Sequence, residues 1–352
     1  MHTPGSADLS AHASTMRNLS AALDRIGDLI PPGSEIAYLD YPVHFNVGDQ
    51  LINLGAEAFF ARMRYRVSVR LSLFDLCQID WAVPHRSTLK ETARRKLAEL
   101  DPAAVIVLHG GGNFGDIYPE FQVMRERVIA AFPERRIVVL PQSLHFSSPD
   151  QERASLTRLL AHPDLHVCVR DAESQAALRR CVPDAGILLP DMAHALWGMT
   201  DWAVPQFSSA STLVLSRTDA ESTGLPTDVA SASQFDWPDI VQRSDQFAFR
   251  AIRKAMAVNL DGSYRVPVAA WYRLRDRLVR RAVRLFSAHG QIVTDRLHGM
   301  ILSALLARPV QYADNSYGKL SRYASAWLDP SPMIKRLGAD VAAVATEEAT
   351  AC

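Results

Sequence analysis

Hydrophobic and polar positions follow one another along the chain in a pattern that predicts strands and helices in turn. Short aliphatic and β-branched runs, typical of strands buried on both faces, recur through the first half and reappear near residue 292. Apolar residues spaced three and four apart lie between them and predict amphipathic helices. The predicted strands are 36–39, 67–74, 104–108, 136–140, 165–169, 186–189, 212–216 and 292–294. This alternation predicts an α/β protein with parallel sheets covered by helices.

The length of the chain and one change in composition predict two domains. A chain of 352 residues exceeds the usual size of a single hydrophobic core. Residues 197–237 are rich in Ser, Thr, Ala and Pro, which places the junction near Gly198. We therefore expect two doubly wound domains, 1–198 and 199–352, that face each other across a ligand-binding cleft. The small, polar N-terminus is expected to be disordered, and the last helix is a candidate to pack back on the first domain.

The composition favours a globular protein and disfavours several classes of partner. The chain has 38 basic and 38 acidic residues, so it has no excess charge that would attract nucleic acid. Its 4 cysteines show no CxxC or zinc-type spacing and are expected to be free thiols in a reducing compartment. The first residues lack a signal-peptide pattern, and no apolar run is long enough to span a membrane. We therefore expect a cytoplasmic protein.

The segment 292–312 has the strongest chemical signal in the sequence. A short buried strand is followed by Asp295, Arg296 and His298, and then by a small, apolar stretch that predicts a buried helix. Cations are disfavoured at a helix N-terminus, where the macrodipole is positive. An anionic ligand would resolve this conflict by binding the free N–H groups and both side chains. The alternative is that Arg296 pairs with Asp295 and His298 is a core residue.

A run of glycines follows the predicted strand 104–108. Gly110, Gly112 and Gly115 match the GxGxxG pattern, and closely spaced glycines at a strand end expose backbone N–H groups. A dinucleotide fold should have an acidic residue at the end of the next strand, and that strand ends in Pro-Gln-Ser instead. Asp116 would also repel a pyrophosphate. We therefore exclude NAD and FAD and interpret the run as a ligand-facing wall, with a structural turn as the alternative.

Other polar residues also fall at strand ends, where open α/β sheets bind their ligands. Arg170 follows the strand 165–169, and its alternative role is a salt bridge to a neighbouring carboxylate. Asn46 and Asp49 lie in a strand–loop–helix unit and can equally be helix-capping residues. Lys319 follows a polar loop that could place it near the same cleft.

An arginine-rich amphipathic helix is predicted at 272–288. Arg273, Arg277, Arg280 and Arg284 form one stripe, opposite an apolar one. Such a helix can lie on an anionic membrane surface. The alternative is a helix that packs on the sheet with solvated arginines.

Taken together, several motifs resemble those of the polysaccharide pyruvyl transferase family, in the family's order, across about residues 36–325. The matching segments are FNVGD at 45–49, LHGGGNFGD at 108–116, LPQS at 140–143, VRDAES at 169–174, LPDMAH at 189–194, TDRLHGMILSALLARPV at 294–310 and NSYGKL at 315–320. The resemblance implies a bacterial transferase with a GT-B-like fold of two Rossmann-type domains. It implies transfer of the pyruvyl group of phosphoenolpyruvate onto a sugar, usually as a cyclic ketal. The acceptor in such pathways is typically a lipid-linked precursor of an exopolysaccharide or cell-wall glycan at the cytoplasmic face of the membrane.

The resemblance also suggests roles for individual residues. Arg296 matches the family's RLH arginine and is assigned to the anionic groups of the donor, as is Arg170. His298 is the candidate general acid, because histidine titrates near neutral pH. A base must activate the sugar hydroxyl, and the candidates are Asp116, Asp49 and Asp191. Further residues expected to contact a substrate are Asn46, Gly111, Gly112, Asn113, Gln142, Ser143 and Lys319. No metal or other cofactor is expected.

Two other functions fit parts of the pattern. A glycosyltransferase with the same two-domain shape would bind the diphosphate of a nucleotide sugar at the basic helix N-terminus. A non-catalytic saccharide- or membrane-binding protein would have lost some of the residues at the predicted site, and Arg296, His298 and the glycine run are all present.

Overall fold

The structure, a computed structural model, describes residues 4–199, 211–218, 234–258, 265–314 and 318–337. The strands are β1 Glu35–Leu39, β2 Arg66–Leu71, β3 Cys77–Gln78, β4 Thr88–Leu89, β5 Val105–Leu108, β6 Gly111–Gly115, β7 Ile137–His145, β8 Leu165–Val169, β9 Ile187–Leu188, β10 Thr212–Leu215, β11 Gln234–Phe235, β12 Gln291–Thr294, β13 Val310–Tyr312 and β14 Ile334–Arg336. The helices are α1 Ser6–Ala22, α2 Val47–Arg62, α3 Leu73–Leu76, α4 Glu91–Ala98, α5 Pro119–Ala131, α6 Pro149–Leu160, α7 Ala172–Cys181, α8 Arg243–Val258, α9 Arg265–Ser287, α10 Leu297–Leu305 and α11 Lys319–Tyr323. The predicted α/β class is confirmed.

The first half of the chain forms a parallel sheet that is buried on both faces. Its strand order is β2-β1-β5-β7-β8-β9, with β6 paired to β7 at its end. Side chains of β1 alternate between two hydrophobic clusters: Ile36 and Tyr38 point to one, and Ala37 and Leu39 to the other. Strands β5 and β7 alternate in the same way. This double burial explains why the strands appear in the sequence as continuous apolar runs.

A second parallel sheet, β11-β10-β12-β13-β14, is built from the C-terminal half. Parallel strands require crossover connections, so all their carboxyl ends lie along one edge of a sheet. Arg217 follows β10, Asp236 follows β11, and Arg296 follows β12 at this edge. The edge therefore carries charged residues that are far apart in the sequence.

Two helices pack against the hydrophobic clusters of both sheets. In α9, Trp271 and Leu278 belong to a cluster with the first sheet, whereas Val283 and Phe286 belong to the cluster of the second. Helix α2 also contributes to both clusters. The two sheets are therefore joined by shared apolar packing, and the domain boundary near Gly198 stays a prediction.

One expectation about local structure was wrong, and one segment has a local structure that was not predicted. The N-terminal segment is helical from Ser6, because α1 packs on the second half of the chain: His12 is buried and contacts Ser331 Oγ at 2.7 Å and Ala304 O at 2.8 Å. The glycine run is not a free loop, since residues 111–115 form β6 and pair with the extended end of β7.

Three further features complete the description. Within the described part of the chain, no helix combines the length and apolar character that crossing a bilayer requires. Cys77, Cys168 and Cys181 are free, and Cys352 lies outside the described residues, as do residues 315–317 of the NSYGKL motif.

Candidate active site

A cavity of about 360 Å³ lies where the carboxyl ends of the two sheets approach each other. The first sheet and its helices contribute Asp40, Asp49, His109 and Arg170 among others, and the second contributes residues such as Arg296. Its volume lies in the range usual for small-molecule sites. The position agrees with the rule that open α/β sheets bind ligands outside the carboxyl ends of their strands.

Asp191 is fully buried beside the cavity and joins two of the predicted site residues. Its Oδ2 accepts a hydrogen bond from Arg170 Nη1 at 2.5 Å and lies 3.3 Å from His298 Nε2. Arg170 Nε also donates to Ser143 Oγ at 2.9 Å. Burial raises the pKa of Asp191, but His298, then Arg170 and the N–H of Ala193, outweigh it and hold this pKa well below its usual range. One ionised carboxylate therefore positions both the arginine and the histidine.

Two glycines lie directly against the cationic side chains of the site. A Cβ at Gly112 would lie 2.9 Å from Lys319 Nζ and 3.1 Å from Arg170 Nη2, so both cations face the same point above the backbone. A Cβ at Gly48, in the first turn of α2, would lie 2.7 Å from His298 Nδ1. Glycine at both positions lets the backbone approach the charged side chains closely. The cationic side chains of Arg170 and Lys319 therefore lie against the backbone at the wall of the cavity, where they suit an anion.

Arg296 is held by a residue that sequence reasoning did not identify. Its Nε and Nη2 donate to the two carboxylate oxygens of Asp236, at 2.8 and 2.5 Å, in a bidentate ion pair. Arg296, largely buried, also lines the cavity. The alternative partner, Asp295, instead accepts a hydrogen bond from the backbone N–H of Arg217 at 2.8 Å. The sequence placed Arg296 at the site, whereas Asp236 lies in a segment where no function was predicted.

Asp40, at the carboxyl end of β1, forms part of the opposite wall. It is 2% exposed, and its backbone has a φ of 64°, which non-glycine residues rarely adopt. Its Oδ2 accepts a hydrogen bond from Asn113 Nδ2 at 3.3 Å, whereas Oδ1 has no partner among the described residues. Burial raises the pKa of Asp40 to about 7, although the nearby Arg125 and Asn113 oppose the shift. A carboxyl group that titrates near neutral pH therefore borders the cavity.

Asp40→Asn is expected to stabilise the protein by roughly 1–4 kcal/mol at pH 8 and by less at pH 5. The native pKa of Asp40 is about 7, above the value near 4 of an unfolded aspartate. Between these values the native state binds more protons than the unfolded state, so wild-type stability falls as pH rises. Asparagine does not ionise, so the variant does not lose stability through this group as pH rises. Thermal unfolding of both proteins at both pH values measures the difference.

The control for this prediction is Glu99→Gln, which neutralises an exposed carboxyl group on the helix α4 side of the first sheet. It should change the melting temperature equally at pH 5 and pH 8. A change in Asp40→Asn that is likewise independent of pH would contradict the predicted titration of Asp40.

His109 presents one ring nitrogen toward the cavity. Its Nδ1 lies 2.6 Å from Tyr38 Oη, which accepts a hydrogen bond from Asn53 Nδ2 at 3.2 Å. The tyrosine hydroxyl is then left to donate to Nδ1, so the ring proton is assigned to Nε2. That Nε2 is buried and has no partner in the described structure, and burial lowers the pKa of His109 to about 4. His109 is therefore a neutral residue at the cavity wall whose Nε2–H has no hydrogen-bond partner in the described structure.

Comparison with known proteins decides the family. The sequence profile described as polysaccharide pyruvyl transferase matches residues 46–317. The chain belongs to the polysaccharide pyruvyl transferase family. A polysaccharide acceptor is implied by that membership, and the resemblance expected from the motifs is confirmed.

Two relatives and one solved structure show how far the similarity extends along the chain. The chain is 34% identical over 320 residues to "Putative pyruvyl transferase EpsO" of Bacillus subtilis, which covers 90% of this chain and 93% of the relative. It is 23% identical over 313 residues to "Pyruvyl transferase 1" of Schizosaccharomyces pombe, covering 84% of this chain and 70% of the relative. A crystal structure of a functionally uncharacterised protein of Klebsiella pneumoniae has the same fold, with a TM-score of 0.54, 15% identity and coverage of 91% and 98%.

Most of the predicted site residues of this pyruvyl transferase family member line the cavity. They are Asn46, Asp49, Gly112, Asn113, Arg170, Arg296, His298 and Lys319. Asn46 also caps α2, since its Oδ1 accepts from the N–H of Gly48 at 2.9 Å. The two predicted roles of Asn46, as a helix cap and as a residue of the site, are therefore compatible.

The remaining predicted residues lie behind or beside the cavity. Gly111 pairs with Gln142 between β6 and β7, and Gln142 Nε2 donates to Asn113 Oδ1 at 3.0 Å. Ser143 and Asp191 hold Arg170, as described above. Asp116 is turned away, because its Oδ2 accepts hydrogen bonds from the N–H and hydroxyl of Ser147, at 2.7 and 2.5 Å. Its predicted catalytic role gains no support from this position.

Sequence reasoning missed several residues that line the cavity. They are Asp40, His44, His109, Tyr118, Glu120, Arg217 and Trp237. The available signal was position: Asp40 and His109 directly follow a strand, as the assigned Arg170 does, and Arg217 lies two residues after the end of β10. In the described part of the chain, no group of three or more His, Cys, Asp or Glu side chains is arranged to bind a metal ion.

Proposed function

We propose that the protein transfers the pyruvyl group of phosphoenolpyruvate onto two hydroxyl groups of a sugar, forming a cyclic ketal in an exopolysaccharide or cell-wall glycan precursor. The observation that carries the proposal is the arrangement around Asp191, which holds Arg170 and His298 together beside Lys319. Phosphoenolpyruvate is a small donor with two anionic groups, and this cavity offers clustered cations to such a molecule.

The donor would bind in the pocket above Gly112. Arg170 Nη2 and Lys319 Nζ both face that point, and an arginine can bind a carboxylate or phosphate through paired N–H groups. Arg296 spends two of its N–H groups on Asp236. It lines the same cavity and would be a secondary contact of the anion, with Arg170 and Lys319 as the principal contacts.

The chemistry requires one acid and a base. His298 would protonate the methylene carbon of the donor, which makes the adjacent carbon electrophilic, while a base takes the proton of the attacking sugar hydroxyl. The C–O bond to phosphate then breaks, and the second hydroxyl adds to the same carbon. Of the two hydroxyl protons, one balances the new methyl group and the other leaves with phosphate. The Asp191 carboxylate lies 3.3 Å from His298 Nε2 and would orient the ring for this transfer.

The same proposal includes a GT-B-like arrangement of two Rossmann-type domains with their boundary near Gly198. Two contacts support the packing of the C-terminal helices against the first domain. Trp327 Nε1 donates to the carbonyl of Arg170 at 2.8 Å, and the N–H of Asp191 donates to Tyr323 Oη at 2.9 Å. Trp327 and Tyr323 thereby hold the backbone at Arg170 and at Asp191.

Mass spectrometry of model glycosides tests the proposed reaction. A panel of p-nitrophenyl hexopyranosides is incubated with the protein and phosphoenolpyruvate, and we expect a product with the mass of one pyruvyl ketal together with released phosphate. Titration calorimetry with phosphoenolpyruvate and with nucleotide sugars discriminates the donors. Binding and transfer from a nucleotide sugar alone would instead support a glycosyltransferase.

We further propose that the acceptor is lipid-linked and that the protein binds the membrane surface peripherally. Helices α8 and α9 expose a basic surface formed by Arg250, Lys254, Arg273, Arg280 and Arg284. Phe247 and Val266, on the same helices, are each 75% exposed. Exposed cations and apolar side chains together are typical of surfaces that bind anionic lipid.

Charge reversal at Arg273, Arg280 and Arg284 to Glu is expected to reduce flotation with vesicles containing anionic lipid. Each cation near such a surface contributes about 1 kcal/mol, so three reversals should lower binding more than tenfold. Flotation with phosphatidylserine-containing vesicles measures this, with neutral vesicles for comparison. The matched control is reversal of Arg94 and Arg95 on α4, which are also exposed. Equal flotation of all three proteins would favour a purely solvated role for the arginines.

A further inference from the structure

We propose that Asp40 is the catalytic base that accepts the proton of the attacking acceptor hydroxyl. This inference deepens the proposed pyruvyl transfer and rests on it. Neither the sequence motifs nor the family match points to Asp40, which lies outside residues 46–317.

The position of Asp40 fits a group that touches a substrate. It lines the cavity, is almost fully buried, and has one carboxylate oxygen without a hydrogen-bond partner in the described structure. An unsatisfied buried oxygen is costly for stability, and a native protein usually retains one where a ligand completes the bonding. The hydroxyl of a bound sugar is a donor that would satisfy it.

The backbone and the second oxygen of Asp40 are held firmly. Its φ of 64° is maintained by the N–H of Asp40, which donates to Leu71 O at 2.7 Å. Asn113 donates to Oδ2, and Asn113 in turn accepts from Arg125 Nη2 at 2.8 Å. Unusual backbone geometry over-determined by its surroundings is common at active sites. The network fixes one oxygen and leaves the other, buried at the cavity wall, without a hydrogen-bond partner in the described structure.

The other candidate aspartates are worse placed for this task. Asp191 is committed to Arg170 and His298, and its depressed pKa makes it a weak proton acceptor. Asp116 is bonded to Ser147 away from the cavity. Asp49 does line the cavity, with its Oδ2 3.6 Å from His44 Nε2. Its side chain is, however, more exposed than that of Asp40, although both residues line the same cavity.

The electrostatic surroundings of Asp40 support a base that works near neutral pH. Arg125 lowers its pKa, Asp49 and Glu120 raise it, and the buried thiol of Cys77 lies near it on β3. With desolvation as the largest effect, the pKa of Asp40 reaches about 7. A base is most effective when its pKa is close to the working pH.

The proposed step is balanced as follows. Asp40 takes the hydroxyl proton as the sugar oxygen bonds to the central carbon of the donor. His298 gives a proton to the methylene carbon, which becomes a methyl group. After phosphate leaves, the second hydroxyl forms the other C–O bond and releases its proton, which departs with the phosphate. One proton then moves from Asp40 to His298, which returns both groups to their starting protonation states.

Asp40→Asn tests the proposal, because asparagine tolerates a positive φ and keeps the shape of the side chain. With phosphoenolpyruvate and the p-nitrophenyl hexopyranoside panel, we expect transfer to fall about a hundredfold. The affinity for phosphoenolpyruvate should stay within about threefold of wild type. In the wild type we expect kcat/KM to fall below about pH 7 as Asp40 becomes protonated, and this fall should be absent from the residual activity of the variant. The control is Asp75→Asn, which neutralises another buried aspartate with a raised pKa, bonded to Ser72 outside the cavity.

Asp40→Gly adds a chemical-rescue experiment that a merely structural role would not pass. Glycine accommodates the backbone, and added formate should restore transfer at least about fivefold. Full activity of Asp40→Asn, or no response of Asp40→Gly to formate, overturns the assignment while leaving pyruvyl transfer intact. Absence of transfer by the wild type itself overturns the proposed function, and this inference with it.

Discussion

Replacing His298 with alanine is expected to lower pyruvyl transfer by about three orders of magnitude while phosphoenolpyruvate affinity changes by less than about tenfold. The imidazole is the proposed source of the proton for the methylene carbon, so its loss removes a transition-state interaction. The anionic groups of the donor would still bind Arg170 and Lys319, which face a common point above Gly112. Phosphate release under single-turnover conditions measures the rate, and titration calorimetry measures the affinity.

The matched control is His166→Ala. His166 forms another histidine–aspartate pair, with its Nε2 2.8 Å from Asp164 Oδ1, and it does not line the cavity. This variant should transfer pyruvyl at close to the wild-type rate. If His298→Ala retained wild-type transfer, His298 would not be the general acid, and a large loss of donor affinity would assign it to binding instead.

Arg170→Met is expected to destabilise the protein by about 3–5 kcal/mol at pH 7, because it leaves the buried Asp191 carboxylate without its closest partner. The native pKa of Asp191 lies well below that of an unfolded aspartate. The stability from its interactions is therefore complete above about pH 4 and is lost as pH falls through the native pKa. A measurement at pH 7 captures the whole contribution. Chemical unfolding of the wild type and the variant gives the difference.

A double-mutant cycle separates the ion pair from general damage. Asp191→Asn and Arg170→Met should each be costly, whereas the double variant should recover about 1–3 kcal/mol of the summed loss. The double variant should nevertheless remain inactive, since the donor has lost Arg170 and His298 has lost its carboxylate. Purely additive effects on stability would show that the pair is not coupled as its 2.5 Å contact indicates.

The sequence predicted the longer strands well, because strands that are buried on both faces appear as continuous hydrophobic runs. Ala37 and Leu39 pack into one hydrophobic cluster, and Ile36 and Tyr38 into the other, so four consecutive positions of β1 are hydrophobic. The predicted strand bounds differ from the observed ones by a few residues. The glycine run and five short strands, β3, β4, β11, β13 and β14, were not predicted as strands. The pairing of β6 with the end of β7 depends on contacts that no local pattern encodes.

Residues at the site were predictable where a strand end and a helix start are adjacent in the chain. Arg296 and His298 are of this kind, since their unfavourable position at a helix N-terminus is visible within one segment. The partners that hold them were not predictable. Asp236 is separated from Arg296 by 60 residues, and Asp191 from His298 by 107.

By itself, the sequence determined the α/β class, the family and the edge of the sheets at which the cavity lies. These properties follow from periodicity and from short motifs, which depend only on neighbouring residues. The tertiary structure alone decided that Asp191 binds both Arg170 and His298 and that Asp236 holds Arg296. It also decided that one buried oxygen of Asp40, beside the cavity, has no hydrogen-bond partner among the described residues. Burial, desolvation and ion pairing arise between residues that are distant in the chain, so only the folded arrangement assigns their charges and partners.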